Sequence, residues 1–547
     1  MTHNNFKYSV VATLVATALL GGCGDSQSSK PVNPGSELKL HVASPDWRDQ
    51  VVYFVLADRF NDGDPRNNDQ GAAEYDPSKL EYYSGGDIQG VTDKLDYIKG
   101  LGMTSIWLSA PVANQWKRDV EGGITGYHGY WASDFTQVDK HMGDLKTYQQ
   151  LSDGLHTRGM FLIQDIVTNH MGDFFGYDAS KLDPKNPCAG YVSHADKSHP
   201  MSAPTMAPFS NNDPCKDPAA DSFHWTPNLN NFKDPVEEKT YQLSDLDDIN
   251  TSSPAVRSAL KQAYGDWIRK VGVDAFRMDT IKYVEHDFLN DFIHGANGVD
   301  AAAKETGRNH FYTFGEVWQT DFGELNDGDE KVLATYQGST DKPEADALLN
   351  FPLQRTLLNV FASGGATGNL AYRLETANNS GILRDPQLTP NFLDSHDADR
   401  YLSLGNKESF KQALMALMTI PGVPVIYYGS EQGFTERRAS MFAAGYGSGG
   451  KDHFDTQSEL YQFIADVAHM RTSHPVLTRG DIKVLASNAS AAGGLAYARH
   501  YEGQTAIVVF NTAASNTLLN QVDTGLPEGT ELQVLSATGV TLESVAV

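Results

Sequence analysis

The stretch GVDAFRMDTIKY (residues 272–283) ends an apolar, strand-like run on two charged side chains, Arg277 and Asp279. Residues i and i+2 of a strand project to the same face, so the two charges emerge side by side. Burying a charge is costly unless it is paired or put to use. Taken alone, the pair reads equally as a structural ion pair at a strand end or as part of a catalytic centre. What the rest of the chain places around it decides between them.

Seven other short apolar runs accompany this one: VVYFVLADRF (51–60), SIWLSAPV (105–112), MFLIQDIVTNH (160–170), FYTFGEVW (311–318), ALLNFP (347–352), TPNFLDSHD (389–397) and VPVIYYGSE (423–431). Amphipathic helical patterns lie between most of them, among them VTDKLDYIKGLG (91–102), LKTYQQLSDGLHTRG (145–159) and SPAVRSALKQAYGDWIRKVG (253–272). Eight strands alternating with helices predict an α/β fold of the (β/α)8 TIM-barrel kind. Polar residues cluster where each run ends, the face on which such barrels place their chemistry. The spacing predicts a barrel over 47–170 and 250–475. It is interrupted after the third strand by a small inserted domain at 171–249, rich in Asn, Pro, Asp and Ser. From 476 to 547 the pattern changes to short strands with turns, IKVLASN, LAYARHY, TAIVVFNT and LQVLSA, which predict a C-terminal β-sandwich.

The 547 residues carry 43 Lys and Arg against 69 Asp and Glu, a net charge of −26 with no basic tract. That balance argues against nucleic acid as a partner and suits a secreted, soluble protein handling a neutral substrate, with a monomer as the expected state. The N-terminus reads as an export signal over 1–22: Lys7, the apolar run YSVVATLVATALL, then LGGC at 20–23. The LGGC ending resembles the lipobox of bacterial lipoproteins, which implies lipidation of Cys23. The stretch 23–46 then reads as a polar tether. The expectation is export, with a lipid anchor in a bacterial membrane as the sole membrane contact, or secretion. Gly24 after the cysteine leaves delivery to the outer membrane open. With Cys23 so used, Cys188 and Cys215 remain, both in loop-like sequence of the insertion, and two leftover cysteines in an exported protein most simply form one disulfide.

Asp165, Arg277, Asp279, Glu316, His396 and Asp397 all fall at C-terminal ends of different predicted strands. Packing alone gives no reason to gather three carboxylates, Asp279, Glu316 and Asp397, at one mouth. The motifs DIVTNH, AFRMDTIKY, FGEVW and FLDSHD resemble the four short motifs of the α-amylase superfamily of glycoside hydrolases. YYSGGDIQGVTDKLDYIKGLGMTSIWLS (82–109), GYHGYW (126–131) and GVPVIYYGSEQ (422–432) extend that resemblance over most of the chain. It is nearest to the branch of bacterial α-amylases and cyclodextrin glucanotransferases. The resemblance implies Asp279 as nucleophile, Glu316 as general acid/base and Asp397 as the carboxylate that holds the sugar hydroxyls. It implies substrate contacts at Arg277, His128, Tyr130, Asp165, His170, Lys282 and His396. Arg277 is expected to favour the ionised form of Asp279, while the neighbouring anions raise the proton affinity of Glu316.

The same resemblance implies one or two Ca2+ ions. One would join barrel and insertion through Asn169, Asp248 and the carbonyl of Tyr283, where relatives usually have histidine. A second would sit in NDGDPRNND (61–69) and GGD (85–87), using Asp62, Asp64, Asn67, Asn68, Gly85 and Asp87, a sequence that also reads as an ordinary polar turn. Ser395 stands where asparagine is common. Ser244, in SDLDDIN, stands where cyclising relatives carry Tyr or Phe. With a chain ending after one β-sandwich, that favours hydrolysis of α-1,4-glucans over cyclisation. A third reading is a glucan-binding protein with an inactive barrel, whose mark would be loss of one of the three carboxylates.

Overall fold

The computed structural model describes residues 38–118, 123–194, 203–519, 522–536 and 545–546. The expected signal peptide, Cys23 and the tether up to residue 37 lie outside the described residues. Each of the eight apolar runs contributes a strand: β1 Val52–Val55, β2 Ser105–Leu108, β3 Phe161–Val167, β4 Ala275–Asp279, β5 Tyr312–Gly315, β6 Ala347–Leu348, β7 Pro390–Phe392 and β8 Val423–Tyr427. They form one 8-stranded sheet in the order β6-β5-β4-β3-β2-β1-β8-β7, parallel at every pairing. Asn350 ties the two ends of the sheet: its N–H donates to the Pro390 carbonyl at 3.1 Å and its side-chain amide to Asn391 Oδ1 at 2.9 Å. The sheet thereby wraps into a nearly closed barrel.

These runs become strands because nearly every residue in them is buried, with helices outside and packed side chains within. The helix Pro254–Val271 shows how the outer layer is specified. Val256, Leu260, Ala263, Tyr264, Trp267, Ile268 and Val271 are among its buried residues and recur with the helical period along one stripe. Pro254 opens it and Gly272, at φ 81°, closes it. A side chain at Gly272 would strike the Leu40 carbonyl at 1.8 Å, so glycine is also what lets the N-terminal segment lie against the start of β4.

Register sets the site. Arg277 of β4 pairs with Asp165 of β3 on one side and with Phe314 of β5 on the other. The β2–β3 connection carries an antiparallel hairpin, Val112–Asn114 with Ala132–Val138, whose turn brings His128 and Tyr130 to the mouth. The insertion after β3 contains a small hairpin, Phe175–Tyr177 with Tyr191–Ser193. It is organised by the mutually packed rings of Phe175, Phe209, Phe223 and Trp225. Cys188 and Cys215 form the expected disulfide there.

Beyond the barrel, β9 Asp481–Ala486, β10 Gly494–Tyr501 and β11 Gln504–Asn511 make a 3-stranded antiparallel sheet, and β12 Glu531–Leu532 pairs with β13 Val545–Ala546. The first three expected strands are in place. Of the described residues of LQVLSA only Leu532 is in a strand, so among the described residues the C-terminal part is one sheet and a separate short pair. Arg499 fastens that sheet to the barrel, donating to the Leu477 and Gly480 carbonyls while fully buried.

Candidate active site

Arg277 lies fully buried at the end of β4. Its Nη1 donates to Asp165 at 2.9 and 3.1 Å and to Asp279 Oδ1 at 2.7 Å, while Nη2 donates to Glu316 Oε2 at 2.7 Å. One guanidinium therefore spans the two carboxylates from which acid and nucleophile were expected. Three carboxylates on one cation leave an excess of negative charge where water is scarce, and protonation is the relief available. Burial pushes Asp279 up to about 6, against the pull of Arg277. Burial pushes Glu316 further, to about 7, again against Arg277, with the charges of Asp279 and Asp397 adding to the rise.

This corrects the expected electrostatics. Arg277 does not tune the two carboxyls in opposite directions, because it touches both and burial outweighs it at each. The ordering survives: Glu316 holds its proton more tightly than Asp279. Asp397 goes the other way. Burial alone would raise it, but His396 and then Arg438 hold it well below the usual carboxylate range. His396 Nε2 lies 3.0 Å from Asp397 Oδ2 and Arg438 Nη2 lies 2.9 Å from Oδ1. The side chain of Asp397 is 36% exposed, against 8% and 9% for Asp279 and Glu316, so it is the carboxylate most open to a ligand.

Asp165 is placed differently from the expectation of a substrate contact. It has no exposed surface, and its oxygens accept from Arg277, from Trp107 Nε1 at 3.0 Å and from the Tyr130 hydroxyl at 2.8 Å. It anchors the guanidinium from below. Tyr130 lies in a near-parallel stack with His128 and His396, at ring separations of 5.6 and 5.2 Å. Burial holds the His128 imidazole well below its ordinary range and takes His170 down to about 4, so both present neutral rings. His170 Nε2 lies 3.2 Å from the Tyr130 carbonyl. His396 Nδ1 is buried with no protein partner. Lys282 is half-buried on the turn after Asp279, with Nζ 3.3 Å from Gln319 Oε1. Ser395, the unusual residue before His396, accepts backbone N–H bonds from Asp397 and Ala398. Trp131 is buried, whereas Trp318 is 48% exposed and stacks on Phe351 at 4.8 Å.

The sequence reading missed Thr280 and Arg438. Thr280 has φ +46°, a left-handed conformation that costs a threonine energy and that proteins retain at functional sites. It turns the Thr280 N–H to Glu316 Oε2 at 3.3 Å and the hydroxyl to Asp279 Oδ2 at 3.1 Å. A threonine after the motif aspartate was visible, but its φ was not. Arg438 sits in ERRA (436–439), a stretch with no signal of its own, and reaches Asp397 only through the fold.

The two expected calcium positions differ. In the loop of residues 62–87, Asp62 Oδ1, Asn67 Oδ1 and Asn68 Oδ1 are all buried without a donor. Asp87 accepts from the backbone of Gly63, Asp64 and Gly90, and Gly85 has φ +101° with Asn68 where a side chain would be. Three orphaned acceptors in one turn fit a hard cation that binds oxygen. Asp64 departs from the expected set, since its carboxylate pairs with Arg66 at the surface. Among the described residues no group of three or more His, Cys, Asp or Glu is placed to hold a metal, so the loop's case rests on amide as well as carboxylate oxygens.

At the junction of barrel and insertion Asp248 and Asn169 already have protein partners, and the carbonyl of Tyr283 lies between two that do. Asp248 bridges backbone to His170, but its Oδ2 is taken by His224 Nδ1 at 2.6 Å. The carbonyls on either side of Tyr283, those of Lys282 and Val284, are taken by the Lys239 ammonium. Asn169 turns its side-chain amide toward His170, at 3.3 Å.

Residues 54–472 match the family model of the α-amylase catalytic domain. An α-amylase of Streptomyces lividans is 32% identical over 93% of this chain, and a cyclomaltodextrin glucanotransferase of Klebsiella oxytoca 31% identical over 88%. The chain spans 60% and 73% of the length of those two relatives. Among solved structures, an Anoxybacillus α-amylase superposes with a TM-score of 0.68 at 27% identity, covering 92% of this chain and 96% of that one. A cyclomaltodextrin glucanotransferase described as having a three-domain ABC distribution superposes with a TM-score of 0.69 at 26% identity, covering 84% and 87%. A glucanotransferase of three domains removes domain count as a guide to activity.

Proposed function

The chain belongs to the α-amylase family and is a glycosidase, and from that premise we propose that it hydrolyses α-1,4-glucosidic bonds of starch, glycogen or maltooligosaccharides with retention of configuration. The observation that carries this reading is the single guanidinium joining Asp279 and Glu316. It holds both carboxyls on one cation, which supports the close pair that a double displacement requires (about 5–5.5 Å in retaining enzymes).

In the proposed cycle the Asp279 carboxylate attacks the anomeric carbon while Glu316 gives its proton to the departing glycosidic oxygen. The sugar is left as an ester on Asp279, and Glu316 as a carboxylate. Glu316 then takes a proton from water as that water attacks the same carbon, which frees Asp279 and restores the acid. Asp397, held ionised by His396 and Arg438, would accept bonds from the ring hydroxyls. Thr280 restrains both reacting carboxyls, and its N–H offsets charge on Glu316 after the first proton transfer. A calcium ion held by Asp62, Asn67 and Asn68 would supply structural charge to the loop that precedes β2.

Ser244 bears on transfer against hydrolysis. It is exposed, small and at φ +56°, so it offers a glucan no ring to wrap around. The cyclising reading draws on the glucanotransferase relatives alone. Chromatography of early products from soluble starch against linear and cyclic standards, with NMR of the newly formed anomer, tests the proposal. Linear oligosaccharides of α configuration are expected; abundant cyclodextrin would move the chain to the transferases, and β products would remove the double displacement. We also propose export with a lipid on Cys23, in keeping with the Cys188–Cys215 disulfide of an oxidising compartment; release of the protein from membranes by Cys23→Ser tests it.

A further inference from the structure

We infer that the Lys239 ammonium fastens the inserted domain to the barrel in the place where a divalent ion was expected, and that it is a positioning residue for the turn following Asp279. Lys239 lies in the short helix Pro235–Thr240 of the insertion. Its ammonium donates to three oxygens of the barrel: the Lys282 carbonyl, the Val284 carbonyl at 3.2 Å and the Tyr336 hydroxyl at 3.0 Å. An ammonium has three N–H bonds to give, and all three are used. Tyr336 in turn donates to the Lys282 carbonyl at 2.7 Å, and its ring lies 5.1 Å from the ammonium. Glu238 supplies a carboxylate 3.7 Å away.

The fastened backbone is the turn Ile281–Tyr283, which continues from Asp279 through the left-handed Thr280. Asp279 and Thr280 fix one end of that turn at the mouth, and Lys239 fixes the other from a separate domain. The carboxylates nearby are also provided for. Asp248 receives the His224 ring N–H, while Glu285 faces the other ring nitrogen of His224 at 4.0 Å and accepts the Thr251 hydroxyl. Calcium requires six to eight oxygens free to turn toward it. Here the Lys282 and Val284 carbonyls, Asp248 Oδ2 and Glu285 Oε2 have nitrogen and hydroxyl donors instead, which links the two domains with charge that belongs to the chain itself. The inference does not depend on whether the enzyme hydrolyses or transfers.

The test compares Lys239→Met, which keeps an apolar stem of similar length, with Lys239→Arg. Melting temperature is read in EDTA and in millimolar calcium, kcat and KM separately on one maltooligosaccharide, and bound calcium by elemental analysis of wild type and Asp248→Asn. Lys239→Met is expected to melt lower and to lose about tenfold in kcat/KM, the scale of a small misplacement at the reacting centre. Lys239→Arg should recover most of both losses and added calcium none. Asp248→Asn should bind as much calcium as wild type. Loss of one calcium in Asp248→Asn, rescue of Lys239→Met by calcium, or unaltered melting and kinetics in Lys239→Met would each overturn the inference. If Lys239→Met is insoluble, the calcium count of Asp248→Asn decides. Should no glucan be turned over at all, melting and calcium content still report on Lys239 while the functional reading fails separately.

Discussion

At the barrel mouth and in the loop of residues 62–87 the chain gathers acidic and amide oxygens, yet it balances them in different ways. At the mouth the counter-charge is covalent: Arg277 serves Asp165, Asp279 and Glu316, and Arg438 serves Asp397. In the loop three buried oxygens, on Asp62, Asn67 and Asn68, have no donor. The junction of insertion and barrel, with Lys239 and His224, belongs with the mouth. A count of oxygens in the sequence does not separate these cases. The donors do, and they arrive from far along the chain: Lys239 is 43 residues from Lys282, and Arg438 is 41 from Asp397.

The largest effect that tests the contrast is at the mouth. Asp279→Asn or Glu316→Gln should lower starch hydrolysis on the order of 10³-fold or more with the fold retained by circular dichroism. Loop variants such as Asn68→Ala should leave turnover at low temperature within a few fold. Equal losses in both regions would erase the distinction between a reacting cluster and a supporting one.

Next in size is the response to pH. Hydrolysis needs Asp279 ionised and Glu316 protonated, so kcat/KM should fall on the acid side near pH 6 and on the alkaline side near pH 7. The same shifts set a stability trend of definite sign. Both folded-state values are raised above those of the unfolded chain, so the stability these groups contribute is complete at acid pH, below about 4, and is lost as pH rises through about 6 to 7. Glu316→Gln should therefore melt higher than wild type at pH 7.5 and lose that advantage at pH 4. A variant that melts lower at both would show that Arg277 outweighs burial.

In the loop, chelation should lower the melting temperature and calcium restore it, by about 2.7 kcal/mol when calcium stands at a hundredfold its dissociation constant. Asn68→Ala should abolish that response. A chelator-insensitive wild type with no bound metal would place the loop with the mouth as a region that needs no ion.

The smallest effect is at Ser244, where an aromatic ring would add about 0.5–1.5 kcal/mol of stacking, by analogy with aromatic pairs. Ser244→Tyr should raise the ratio of transfer to hydrolysis modestly, chiefly by slowing hydrolysis. At φ +56° the ring also meets a backbone strain that Ser244→Gly would relieve. Cyclodextrin as the main product of Ser244→Tyr would mean that the acceptor subsites already favour a second sugar over water.

The eight strands were legible because apolar runs of strand length, spaced by amphipathic helices, admit few arrangements other than a parallel barrel. Asp165, Arg277, Asp279, Glu316, His396 and Asp397 were legible as a group because strand ends in such a barrel share one face. Cys188 and Cys215 were legible by their isolation in one insertion. Among the described residues the C-terminal region is a 3-stranded sheet and a short pair, and strand-like composition did not say which strands find partners. The sense of the charge balance was not legible either. Arg277 beside Asp279 in sequence suggested a depressed carboxylate, but only the fold adds Asp165 and Glu316 to the same guanidinium and excludes water from all four. The sequence by itself determined which residues face the mouth, because strand periodicity and order are local properties of the chain. Tertiary structure alone decided what each of them touches, because Thr280 takes its conformation, and Arg438, Lys239 and His224 find their acceptors, only when distant segments are brought together by burial of the core.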